Sequence, residues 1–372
     1  MTRRILQWLP VVLGIAFLLL LGYLQRERAL KGQNDFVAFY VGGKLAGSPD
    51  LYSRPANQAF IQSILGFPME NVTYIRPPFY AALLKPLSML PYPVAYALFT
   101  LASLACVVWF VLRFSKECPT LPFFAAMSIP ALAAICGGQD TLFLLAIVGG
   151  SILLTRRSHD FAAGLLLSLC AIKFHLFLFV PLLLLMKKRW RIVGGGALGC
   201  AILTALGILV AGVDSTAGFV KTLRDPWINP NAAIMPNLHG LAMILNVGFG
   251  LEAVLTGLVL AGFVATVLRN SNFELLLGLS VVCGLLVSFH SGVVDDVLLL
   301  PVFVAVIGHC TDTLLRAAAA LILTPVPYFM VLAGAPYSAA FPIALLVLLA
   351  LLCVGPNGTR KSLATPREIL AN

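Results

Sequence analysis

Apolar residues run through this chain in long unbroken stretches, and polar residues gather where the stretches end. A helix needs about 20 consecutive apolar residues to cross the hydrocarbon of a bilayer. Stretches suited to that lie near 8–24, 93–113, 120–136, 140–155, 160–173, 174–187, 192–212, 249–268, 273–290, 294–310, 314–333 and 337–354, about twelve in all. An outer-membrane barrel would instead alternate apolar and polar positions over about ten residues. The expected fold class is therefore all-α, a polytopic integral membrane protein in one transmembrane domain spanning 1–372. The first stretch follows Arg3 and Arg4. Leu24-Gln25-Arg26-Glu27-Arg28 after it holds no small-residue cleavage site, so it reads as an uncleaved first helix.

Composition agrees: 60% of the 372 residues are apolar and 11% charged, with a mean hydropathy of +0.97. Soluble domains carry about 25% charged residues, so an ordinary cytosolic enzyme, a disordered chain and a nucleic-acid reader are excluded. The net charge of +10 then reflects cytoplasmic loops, which collect Lys and Arg. With the N-terminus inside, inner segments hold fifteen of the 25 cations: Arg3, Arg4, Arg113, Lys116, Arg156, Arg157, Lys187, Lys188, Arg189, Arg191, Arg269, Arg316, Arg360, Lys361 and Arg367. Seven of the other ten lie in the long loop 25–92, and long loops translocate largely regardless of charge. The expected topology is both termini cytoplasmic, 355–372 a cytoplasmic tail, and 25–92 outside, in the cytoplasmic membrane of a cell envelope. That loop mixes short apolar pieces, aromatics and cations, which suits short helices in the interface plane.

Eight cysteines stand singly with no C-x-x-C, and read as small core residues. The Gly195/Gly199 spacing permits close helix packing. Gly194-Gly195-Gly196 is not read as a phosphate loop, since no Lys-Ser/Thr follows. No metal-ligand spacing occurs, and no metal or cofactor is expected. Acidic residues number fifteen. On this topology Asp35, Asp140, Asp295 and Asp296 lie toward the outer side, with His175, His239 and His290 at outer helix ends. An ionisable group at membrane depth is a functional candidate by default.

The outer segments hold Asn34-Asp35-Phe36-Val37-Ala38-Phe39-Tyr40, then Asp50-Leu51-Tyr52, then Tyr74-Ile75-Arg76-Pro77-Pro78. Further on come Gly138-Gln139, Lys173-Phe174-His175 before a run ending in Lys188-Arg189-Trp190-Arg191, Pro236-Asn237-Leu238-His239-Gly240, and Ser288-Phe289-His290 through Asp295-Asp296. In this order the chain, from about residue 33 to 310, resembles glycosyltransferase family 87. Phe289 departs from that family's Pro, and Asp295 from its Tyr. The resemblance implies a GT-C-like fold and a membrane glycosyltransferase. It would move a hexose, mannose in the typical members, from a polyprenyl-phosphate donor to a lipid or glycan acceptor hydroxyl. Partners would be that donor, that acceptor and membrane lipids, with no nucleic acid.

Such a reaction needs one carboxylate to take the proton of the acceptor hydroxyl. The leaving phosphate is a weak base, so cations suffice to hold it. Asp35 is the expected base, a role in which the resemblance also places it. Arg76, Lys173 and Lys44 are the candidate phosphate holders. Tyr40, Gln139, His175, Asn237, His239, His290 and Asp296 are the remaining substrate-binding candidates. Each has a plainer reading: a solvated loop acid for Asp35, a headgroup anchor for Arg76, a snorkelling stem for Lys173, an N-cap for Asp295 and Asp296. A secondary transporter or flippase is the alternative, but it would show repeats and midplane polar groups.

Overall fold

The structure, a computed structural model, describes residues 19–225 and 232–354 together with Val12 and Ala16. The expected first span, both termini and the tail lie wholly or mostly outside the described residues. The described chain is helical throughout, without a strand. Among the described residues, five helical stretches are long and apolar enough to cross a membrane: Tyr92–Phe114, Asp160–Phe177, Trp190–Ala211, Gly248–Arg269 and Tyr337–Val354. A sixth arises if Thr313–Ile322 and Pro325–Leu332, bent by 47°, form one span.

Departures from the expected spans have local causes. The stretch 120–136 divides into Leu121–Ala126 and Ile129–Cys136, because Ser128 caps the second helix by accepting from the Ala131 N–H. The 314–333 stretch breaks where Thr324 precedes Pro325, since a residue before proline avoids the helical region. The 160–173 stretch does not end where expected. It runs on as a 3-10 helix, Leu169–Phe177, with a break in helical backbone at Lys173 itself.

Small residues set the tightest contacts. A side-chain carbon on Gly164 would collide with the Ile192 carbonyl, one on Gly195 with the Phe161 carbonyl, and one on Gly199 with Ser168. The helices Asp160–Ser168 and Trp190–Ala211 thus pack backbone to backbone, as the glycine spacing predicts. Gly284 similarly admits the 3-10 stretch, its missing Cβ lying against the Leu176 carbonyl. All eight cysteines are free.

The segment 25–92 forms the short helices Arg26–Leu30, Phe36–Leu45, Arg54–Leu65 and Pro78–Ser88, with a 3-10 turn at Pro49–Tyr52. Phe36–Leu45, expected as one of the short helices in the interface plane, instead has every residue but Lys44 buried. Its apolar residues occupy all faces, and a helix of that kind belongs in an interior. Arg54–Leu65, by contrast, buries only Asn57 and Ile61.

Polar side chains form two layers at opposite helix ends. At one end Arg156 grips Glu274 through two contacts of 2.6 Å and Glu117 through a third, with His309 3.2 Å from Glu274. Arg189 pairs with Asp160 in the same layer. The helix Thr141–Arg156 carries Arg156 at its C-terminus and Asp140 just before its N-terminus. Sixteen residues separate the two layers by about 24 Å, at 1.5 Å per residue.

Candidate active site

The second layer is built on a turn, Gly137-Gly138-Gln139-Asp140, docked onto residues 34–36. Asn34 Nδ2 donates to the Cys136 carbonyl at 2.9 Å, and the Asp35 N–H to the Gly137 carbonyl at 3.1 Å. Gly138 has φ +62°, and a Cβ there would stand 2.7 Å from both Asn34 Oδ1 and Phe36 Cβ. Only glycine fits that left-handed conformation at so close an approach. The turn aims adjacent residues at different partners. Gln139 donates to Asp35 Oδ2, while Asp140 points into a buried ionic network.

Asp140 is the centre of that network. Arg76 holds it with Nε at 2.7 Å and Nη2 at 3.2 Å, the two-pronged geometry that makes arginine a strong carboxylate partner. Lys173 Nζ lies 3.3 Å from the same carboxylate and 2.6 Å from Asp295. Thr141 accepts from Lys173 at 2.9 Å and donates to Asp295 at 2.9 Å. Asp295 also accepts from the Gly292 N–H at 3.0 Å. All four charged side chains are buried. Buried charges persist only when paired and hydrogen-bonded, and each of these is.

Local sequence explains the placement. Arg76 precedes Pro77, which disfavours helical backbone at that residue, and Pro78 opens the next helix. Tyr52 pins the Arg76 carbonyl at 2.8 Å, and Asn57 accepts from the Tyr74 N–H. Lys173 enters the network because helical backbone breaks at that residue. Arg76 also lies over the Phe39 ring, 5.3 Å from its centroid.

Asp35 sits at the edge of the network, partly exposed. Burial pushes its carboxyl above the ordinary carboxylate range. The charges of Arg76 and Lys173 and the Gln139 hydrogen bond pull the other way without cancelling the effect.

The remaining candidates fall into groups. His175 is buried against Phe174, Phe289 and His290, and its Nε2 has no hydrogen-bond partner among the described residues. With Arg76 and His290 it lines a narrow cleft closed by Phe219 and Leu223. Asn237 is fully buried, and its amide is spent on Ser288, Ser291 and the Gly240 N–H. It ties the 236–240 segment to the 288–291 segment. His239 pairs with Glu252 at 3.0 Å. Tyr40 donates to the Leu90 carbonyl at 2.7 Å. Lys44 is exposed and reaches the Tyr40 ring, with no contact to the network. Asp296 is fully buried, but neither oxygen has a hydrogen-bond partner among the described residues. Successive residues of the 3-10 turn Val293–Leu298 point apart, so Asp295 enters the network and Asp296 does not. Asp140, Thr141 and Asp295 were not among the candidates for substrate contact. The signal available in sequence was the scarcity of acids at membrane depth.

Beside the network runs an almost wholly apolar groove of about 850 Å³. Leu83, Leu98 and Trp109 on its walls are exposed. It extends along the helices Pro78–Ser88, Tyr92–Phe114 and Thr141–Arg156, and reaches Tyr80 and Ile172. Ile172 lines both the groove and the histidine cleft, and its neighbour in sequence is Lys173.

The model of glycosyltransferase family 87 matches residues 74–292, more than half of the chain. That range takes in Arg76, Gln139, Asp140, Lys173 and His290, and stops short of Asp35 on one side and Asp295 on the other. No curated protein and no solved structure matches the chain.

Proposed function

The chain belongs to glycosyltransferase family 87, and on that premise we propose that it transfers a hexose, mannose by the resemblance, from a polyprenyl-phosphate donor to a lipid or glycan acceptor hydroxyl. The observation that carries this reading is a partly exposed carboxylate, Asp35, at the edge of a paired buried network, with an apolar groove whose wall residue Ile172 adjoins Lys173 in sequence. Asp35 takes the acceptor proton, the acceptor oxygen bonds to the sugar's anomeric carbon, and the bond from that carbon to the phosphate oxygen breaks. The electron pair leaves with the lipid phosphate.

Arg76 has Nε and Nη2 committed to Asp140, which leaves Nη1 for a phosphate oxygen. Lys173 adds positive potential from behind. His175 Nε2, buried and without a hydrogen-bond partner among the described residues, supplies a contact in the cleft, with His290 beside it. Asn237 supports these loops. His239, Tyr40 and Lys44 would act at the periphery, and Asp296 from the apolar interior. The groove fits the isoprenoid chain of the donor. A donor lipid would then lie along exposed Leu98 and Trp109 with its phosphate end near Lys173.

In the same reading the fold is GT-C-like, with the shorter apolar helices completing about twelve spans. The site faces the outer side of the cytoplasmic membrane, both termini lie inside, and the whole chain acts as one transmembrane domain. One carboxylate without a second as nucleophile makes the reaction a single displacement, so the anomeric configuration inverts. The test is purified protein with radiolabelled polyprenyl-phosphate sugars and membrane lipid extract. The reading expects a labelled glycolipid of inverted configuration by NMR. Transfer from a nucleotide sugar alone, or a product of retained configuration, would overturn it.

A further inference from the structure

Gln139 is engaged at both ends of its side-chain amide. Nε2 donates to Asp35 Oδ2, and Oε1 lies 3.5 Å from Lys173 Nζ. A lysine ammonium only donates, and an ionised carboxylate only accepts. The two neighbours therefore agree on one orientation, oxygen toward Lys173 and nitrogen toward Asp35. A flipped amide would set oxygen against carboxylate and NH2 against ammonium. Both flanking backbones are fixed as well. The Gln139 N–H donates to the Ala134 carbonyl at 2.8 Å, and the Asp35 N–H to the Gly137 carbonyl at 3.1 Å. Lys173 is itself held by Asp140, Asp295 and Thr141.

We propose that Gln139 is a positioning residue for the acceptor-activating carboxylate: locked by Lys173, its amide occupies Asp35 Oδ2 and leaves Oδ1 as the oxygen that meets the acceptor hydroxyl. Gln139 thereby works through Asp35 and not on the sugar. This rests on the reading of Asp35 as the base. One consequence is that the base's aim depends on the ionic network two contacts away. Another is that the charge at position 139 governs how readily Asp35 ionises. The other charged groups acting on Asp35 are Arg76, Lys173 and Asp140.

The experiment measures kcat, donor KM and the pH profile for the parent, Gln139→Leu, Gln139→Glu and Asp35→Asn in detergent, each checked for a monodisperse elution peak. Gln139→Leu should lose up to about 10²-fold in kcat, the scale of a small misplacement of a catalytic group, with donor KM nearly unchanged. Gln139→Glu is close to isosteric and places a like charge against Asp35. A like charge disfavours ionisation, so the proton is held to higher pH. Activity, which needs Asp35 ionised, is then lost sooner as pH falls, and the acid limb of kcat should move up by about one pH unit or more. Gln139→Leu adds no charge but removes a hydrogen bond that favours the ionised form of Asp35, so its acid limb should also move up, which a merely structural role would not do. If Asp35→Asn is inactive while Gln139→Leu keeps the parent kcat and Gln139→Glu keeps the parent profile, the inference is overturned and the base assignment stands. If Asp35→Asn remains active, both are overturned. Should Gln139→Leu not purify, Gln139→Met, which likewise cannot donate to Asp35, takes its place with the same expected outcomes.

Discussion

Lys173→Met removes the cation in contact with both Asp140 and Asp295 while keeping most of the buried stem. The lysine is 3% exposed, Asp140 0% and Asp295 2%, so water does not screen the change. Asp140 retains both contacts from Arg76. The loss falls on Asp295, left with Thr141 and the Gly292 N–H. Removing one partner of a buried pair costs about 3–5 kcal/mol. Two neutral donors remain, which places the expected cost at the lower end, about 3 kcal/mol, or about a hundredfold in the folded-to-unfolded ratio. The double variant Lys173→Met, Asp295→Asn removes both charges and should regain about 1–3 kcal/mol as coupling. The assay is a thermal series in detergent, read as the fraction eluting monodisperse, for the parent, both single variants and the double variant. The reasoning is refuted if Lys173→Met melts with the parent, or if the two substitutions act additively.

Gly138→Ala would press a methyl group against Asn34 and Phe36 in a backbone with positive φ. Turnover should fall while Asp35 is intact, and protease protection of the 34–36 segment should fall with it. Ala102→Trp would fill the groove wall without touching any charged group. It should raise KM for a long-chain polyprenyl-phosphate donor at least tenfold and leave a short-chain analogue unaffected, as competition between the two donors would show.

Helix boundaries were legible where apolar runs are long and any proline, as at Pro93 and Pro342, falls in the first turn of an α-helix. The runs 93–113, 192–212, 249–268 and 337–354 match Tyr92–Phe114, Trp190–Ala211, Gly248–Arg269 and Tyr337–Val354. Breaks were harder to see, because a cap at Ser128 and a proline at Pro325 act on one turn while the surrounding hydropathy stays high. At the site, Asp35, Arg76, Gln139 and Lys173 could be singled out from polarity and motif order, and the fold brings them together. Which of Asp295 and Asp296 joins them could not be read. The choice depends on the phase of a short 3-10 turn, and adjacent carboxylates look alike in sequence. Asn237 shows the reverse problem. Its amide reads as a binding group in an outer loop, yet every hydrogen bond it makes is internal. Phe36–Leu45 misled for lack of context: a short apolar helix after a span suits an interface as well as an interior until its neighbours are known.

The central claim is that Asp35 is the base, and transfer by Asp35→Asn tests it most directly. The amide preserves size and cannot take a proton at neutral pH. Glu27→Gln and Asp50→Asn serve as controls, since both residues are exposed. The account predicts a loss of about 10²–10⁴ in turnover for Asp35→Asn, with donor binding and elution unchanged, and only mild effects in the controls. More than about half the parent activity in Asp35→Asn, alongside abolition by His290→Ala or Asp296→Asn, would contradict it and move the base to the 290–296 segment.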